Sequence, residues 1–208
     1  MIGSLTFLDI GIFIGCLLVA MSFHEAMHGF VAHWLGDDTA HLAGRLTLNP
    51  LKHIDVMLTI LLPLGMLLLG AQPILAAKPV PFNPGRLKYD EFGAALVGLA
   101  GPASNLLLAI AAAAVMHLSG VAVGTLPYTV FITFISLNIA LFTFNLLPIP
   151  PLDGSRVLFA FAPEPLQKIM LQIEQAGFAV ILVILILLIP VIGPILSNIN
   201  EFLVLLLV

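Results

Sequence analysis

Charge is what this sequence has least of. Its 7 Lys and Arg and 11 Asp and Glu make up 9% of 208 residues, whereas a soluble domain carries about 25%. With 61% hydrophobic residues, there is too little polar surface to face water on all sides, and the chain reads as an integral membrane protein. Cysteine is nearly absent too: Cys16 stands alone, which excludes an intrachain disulfide, and its apolar neighbours point to plain packing. The formal charge of −4 supplies no basic footprint for nucleic acid. A basic segment ahead of the first apolar run is missing, as is a persuasive cleavage site, so residues 5–35 read as a retained span rather than a signal peptide. No polar stretch is long enough to build an appended soluble domain.

What is present is a series of apolar runs. A membrane span needs about 20 such residues, and the candidates are 5–35, 54–69, 92–118, 127–147 and 167–189, with a short tail at 195–208 after Gly193 and Pro194. The expected fold is an all-α integral membrane protein, a polytopic helical bundle of about four to six membrane segments, forming one domain over 1–208. The basic residues decide the topology: Arg45, Lys52, Lys78, Arg86, Lys88, Arg156 and Lys168. If 54–69 crossed completely, they would be split between the two faces. If it dips in and returns, all of them share one face, as the positive-inside rule prefers. Pro63 and Gly65 break the middle of that short run, so a re-entrant hairpin is expected. The first span then runs from outside to inside, 92–118 back out, 127–147 in, and 167–189 out.

Within the first span lies an unusual group. Residues 10–20 carry no charge, yet His24-Glu25-Ala26-Met27-His28 follows directly. Ionisable groups are expensive in hydrocarbon and there mark function by default. On a helix His24 and His28 project from one face, so both rings can reach one zinc ion, with Glu25 beside the open position. Zinc brings the pKa of a bound water to about 7, and a carboxylate can take its proton during attack on a carbonyl. The plainer reading is two histidines packed in a bundle interior. Two histidines do not fill a zinc site. Asp153 is the candidate third ligand, because it follows an apolar helix at the Pro148-Ile-Pro-Pro-Leu-Asp-Gly154 break. A turn or helix-capping role is equally open to an Asp before Gly.

Four ordered segments carry a family resemblance: His24 to His28, Gly44-Arg-Leu-Thr-Leu-Asn-Pro-Leu-Lys-His-Ile-Asp55, Gly101-Pro-Ala-Ser-Asn105, and Asn145 to Gly154. Together they resemble the site-2 protease family of intramembrane zinc metalloproteases, in its compact prokaryotic branch without PDZ or CBS domains. The resemblance spans about 22–156 as a catalytic core, with C-terminal helices over 166–208. It implies one Zn2+ per chain on His24, His28 and Asp153, with Glu25 as general base. It also implies a role in substrate or oxyanion binding for Asn145, for which an interhelical hydrogen bond is the alternative. Asn105 reads as a structural or supporting amide and Asn138 as an interhelical contact. His33, His41, His53 and His117 read as surface or supporting residues.

The alternating Arg45-Leu-Thr-Leu48 resembles a short membrane-associated β element of the family, whose edge could pair with an unwound substrate. By resemblance the substrates are single-span membrane proteins such as anti-sigma-factor-like regulators, cut within or beside a transmembrane segment. The expected setting is a prokaryotic cell membrane, with the site nearer the cytoplasmic face and the lipid bilayer as the surrounding partner. A metal-binding or metal-transporting membrane protein would use the same ligands without needing Glu25. An inactive homologue acting as a scaffold is the other alternative.

Overall fold

In hydrocarbon every backbone N–H and C=O must find its partner within the protein, so long apolar runs become helices. The computed structural model describes residues 6–53 and 80–208. Among them are seven α-helices: α1 (Phe7–Trp34), α2 (Thr39–Leu42), α3 (Asp90–Leu118), α4 (Leu126–Asn145), α5 (Gly154–Phe161), α6 (Glu164–Gln175) and α7 (Phe178–Leu207). Phe7–Trp34, Asp90–Leu118, Leu126–Asn145 and Ile186–Leu207 are each long and apolar enough to cross a membrane. The chain is a membrane protein, and its described residues are helical with no strand among them. The expected re-entrant hairpin at 54–69 and Lys78 lie outside the described residues.

Helix α1 starts at a reciprocal cap. The Asp9 N–H donates to Thr6 Oγ1 (3.2 Å) and the Thr6 N–H donates to Asp9 Oδ2 (3.0 Å), which satisfies two donors that the first turn leaves open. Helix α3 is the central element, packed against α1, α4 and α5. Its buried face is made of small residues, among them Gly98, Gly101, Ser104, Ala109 and Ala113. Apolar burial gives little drive between helices in lipid, and small side chains let backbones approach closely. At one end Ala94 and Val97 of α3 pack on Ala32 of α1. At the other, Ala109, Ala113 and Met116 meet Ile135 and Ile139 of α4, with Leu203 and Leu207 of α7 against them.

Polar bonds set the register of the outer helices. Thr143 Oγ1 donates to Asn200 Oδ1 (2.6 Å), tying α4 to α7, and His117 Nε2 reaches the Leu207 carbonyl (2.8 Å). Between α1 and α3 the chain is bolted by the Lys88 N–H to the Leu35 carbonyl (2.8 Å). Arg45, Lys52, Arg86 and Lys88 flank the end of α1 and the start of α3, and Arg156 lies over the Phe82 ring beside them. Asp37 is buried there too. Burial works to raise its pKa, but the Thr39 hydroxyl and amide, the Asn83 amide and the nearby Arg86 charge outweigh it, so the carboxyl stays below the usual range.

Two expectations are corrected. The C-terminal span is not 167–189 with a break at Gly193. The break falls at Gly177 (φ +89°), α6 before it is amphipathic, and α7 runs unbroken through Pro190 and Pro194. Proline ends helices in water, but in a hydrocarbon setting no alternative backbone partners exist and the helix persists. Nor do residues 45–48 form a strand, and no strand occurs among the described residues. Their backbone groups are engaged locally: the Arg45 N–H bonds the Ala40 carbonyl (2.9 Å), the Thr47 N–H bonds the Arg45 carbonyl (2.9 Å), and the Thr47 carbonyl meets His53 Nε2 (2.8 Å).

Gly154 marks the tightest turn. A methyl group there would strike the Leu146 carbonyl and lie 2.7 Å from the Leu147 oxygen, both backbone atoms that cannot rotate aside. Gly154→Ala is therefore expected to destabilise the protein by about 1–3 kcal/mol, the usual range for overpacking. Gly11→Ala, with nothing within 4 Å, should leave the melting temperature unchanged or slightly raised. Thermal melts of both variants in one detergent check this contrast.

Candidate metal centre

The 3.6-residue period of α1 places His24 and His28 one turn apart, facing α3. There α3 has no side chain to resist them. A methyl group on Gly101 would fall on His28 Nε2 and lie 2.7 Å from His24 Cε1. The two imidazoles therefore pack against bare backbone, with ring centroids 4.7 Å apart and planes at 84°.

The outer ring nitrogens are both fixed by α3. His28 Nδ1 lies 2.7 Å from the Val97 carbonyl, which only accepts, so this nitrogen carries the proton. His24 Nδ1 lies 2.6 Å from Asn105 Oδ1. The Asn105 amide cannot turn over, because its Nδ2 donates to the Ala20 carbonyl (3.3 Å) and to Asn138 Oδ1 (2.9 Å). Asn138 is itself oriented by donating to the Phe134 carbonyl (2.8 Å). Both rings are thereby set as Nδ1–H tautomers, and both Nε2 lone pairs point inward.

Asp153 completes the group from the turn between α4 and α5. It occupies the N-cap position of α5, but its side chain makes no capping bond. Instead Oδ2 stands 3.1 Å from His24 Nε2 and 3.4 Å from His28 Nε2, and the two Nε2 atoms are 3.1 Å apart. Asp153 Oδ2 is buried and receives no hydrogen bond. With these tautomers, three acceptors converge with no proton between them. A tetrahedral zinc ion with bonds of about 2.0–2.1 Å has ligand-to-ligand edges of about 3.3 Å, close to the three distances observed. The donor set fits zinc, and no other group of this kind occurs among the described residues.

Glu25 points from the same helix turn, and its Oε2 accepts the Val80 N–H (2.9 Å). Asn145 does not join the group: its Nδ2 donates to the Leu141 carbonyl one turn back (2.9 Å). His33 bonds Asp38 (2.6 Å), His41 lies beside His33, and His53 and His117 meet backbone carbonyls.

Residues 119–189 match the family model described as Peptidase family M50. A Bacillus subtilis protein named "Putative zinc metalloprotease YwhC" is 41% identical over 175 residues, covering 81% of this chain and 77% of that protein. The chain belongs to peptidase family M50, the site-2 protease family. A Mycolicibacterium smegmatis protein named "Putative zinc metalloprotease Rip2" is 33% identical over 189 residues, covering 85% of this chain and 68% of its own length. No solved structure matches the chain.

This M50 zinc metalloprotease also uses groups that motif reading does not single out. The Val97 carbonyl is backbone and leaves no signature in the sequence. Asn138 gives only a weak one, a lone amide in an apolar helix, yet it fixes the Asn105 amide that orients His24. Such supporting bonds are typically worth 10–100-fold in metal affinity. Asn105→Ala is accordingly expected to raise the zinc Kd by about 10–100-fold, as read by competition against a chromogenic chelator.

Proposed function

We propose that this metalloprotease hydrolyses peptide bonds within or next to transmembrane segments of other membrane proteins, with Glu25 as its general base. The observation that carries the reading is that Glu25 shares a helix turn with two inward-facing imidazoles, inside a helix built to cross a membrane. His24, His28 and Asp153 would hold the zinc ion. When bound there, zinc polarises the scissile carbonyl and acidifies water to a pKa of about 7.

The chain's own groups do the rest. Glu25 accepts a proton from the attacking water and returns it to the leaving amine as the carbon–nitrogen bond breaks. The Val80 N–H holds Glu25 Oε2, leaving Oε1 for the water. Depth matters to this chemistry. At about 1.5 Å per residue, His24 lies roughly 25 Å along α1 from Phe7, in a hydrocarbon layer about 30 Å thick. A helical substrate hides its peptide bonds in its own turns, so it must open locally before water can attack.

The basic residues at the end where α1 finishes support placing the site nearer the cytoplasmic face of a multi-pass protein. Single-span regulators of the anti-sigma-factor type fit this depth, and the family resemblance supports them as substrates. Metal transport by the same ligands is disfavoured by Glu25, since carriage of an ion needs no base beside it.

Glu25→Gln tests the reading in detergent with a model single-span substrate. Cleavage is expected to fall by about 10²–10⁴-fold while zinc per chain stays at the wild-type value. Cleavage at the wild-type rate would contradict the role of Glu25.

A further inference from the structure

Val80 is flanked in sequence by Pro79 and Pro81. Proline has no N–H, so Val80 supplies the one backbone donor in that run of three. The residue before a proline is held in extended backbone, which stiffens Val80 through Pro81. That one donor is the group that meets Glu25 Oε2. Val80 is only 7% exposed. Its Cγ1 would lie 3.4 Å from a methyl group on Gly29, one turn beyond Glu25, so the run lies directly on α1.

Three residues later the same run is anchored. The Asn83 N–H donates to Asp37 Oδ2 (2.5 Å), while Asp37 Oδ1 takes the Thr39 N–H (3.1 Å) and hydroxyl (2.5 Å). Asp37 is fully buried. Three donors converge on it, and only a carboxylate, which accepts on both oxygens, satisfies them all. An amide would turn its own N–H toward one of them. Beyond Asn83 the segment is closed by its side chain on the Gly85 N–H (3.0 Å) and by the Lys88 N–H on the Leu35 carbonyl. Neither Asp37 nor Val80 is hydrogen-bonded to His24, His28 or Asp153. Their geometry leads to Glu25.

We propose that Asp37 is a positioning residue for peptide hydrolysis. It anchors residues 80–83 so that the Val80 N–H fixes one oxygen of the Glu25 carboxylate and presents the other to the attacking water. This inference rests on the reading of Glu25 as the base. A glutamate side chain has three freely turning bonds, and a charge-assisted hydrogen bond to a stiff, anchored donor selects one arrangement. Small misplacements of a catalytic group cost up to about 10²-fold in rate.

The test uses the full chain, zinc-loaded in detergent, with a model single-span substrate. Asp37→Ala removes the anchor. Val80→Pro removes the donor and leaves the Asp37 bonds in place, so it stays informative if Asp37→Ala folds poorly. Each is expected to lower kcat roughly 10- to 100-fold, with KM and zinc per chain unchanged. The double variant should be no slower than the slower single, because both act through one hydrogen bond. A wild-type kcat in folded, zinc-loaded Val80→Pro overturns the proposal, as does a double variant whose losses multiply. Glu25→Gln run alongside separates the two layers. Retained cleavage there overturns the base itself, whereas abolished cleavage there with full activity in Val80→Pro overturns only the positioning role.

Discussion

Three acceptor atoms, His24 Nε2, His28 Nε2 and Asp153 Oδ2, face one another across 3.1–3.4 Å, and the helix packing is arranged to make them do so. Unshared, their lone pairs would repel at these distances, in a setting that screens poorly. A divalent cation held there would turn the repulsion into the strongest local attraction of the bundle. It would thereby offset the cost of bringing two imidazoles and a carboxylate together among apolar helices, and would supply the chemistry of the proposed reaction.

That meeting depends on bare backbone. Gly101 lets the rings lie on α3. Gly98 admits the Asp153 carbonyl, which would stand 2.9 Å from a methyl group there. Gly154 lets the α4–α5 turn fold under the Leu146 carbonyl. The amides complete the arrangement from a third direction. Asn138 on α4 orients Asn105 on α3, which orients His24 on α1, so one relay couples three helices to one ring nitrogen. Association in lipid draws on close packing and buried hydrogen bonds, and here the polar contacts that join the helices also set the tautomers.

Much of this was legible in the sequence because it depends on periodicity and length. Three of the spans are long apolar runs, and the i, i+4 histidines share a face on any helix. By sequence Asp153 is open between capping and ligation, since spacing along the chain says nothing about which way a side chain turns. Only the fold shows that its oxygen leaves the α5 terminus and meets the imidazoles. Asn145 reads as a candidate by motif, and its amide N–H bonds the Leu141 carbonyl of its own helix, a local partner that a sequence does not rank. The tail departs from the sequence expectation because the proline rule takes water as the competing partner. Asp37 and Val80 carry no sequence signal of their roles because their partners lie 46 and 55 residues away. The Pro-Val-Pro run was visible as text, and its meaning appears only beside Glu25.

In the proposed reaction, hydrolysis depends on zinc held by these three side chains. X-ray absorption at the zinc edge of the purified, metal-loaded protein measures this directly. Two imidazole nitrogens and oxygen ligands are expected in a four-coordinate shell at about 2.0–2.1 Å, with no sulfur. A sulfur scatterer, which would implicate Cys16, or a shell with fewer than two imidazoles would contradict it.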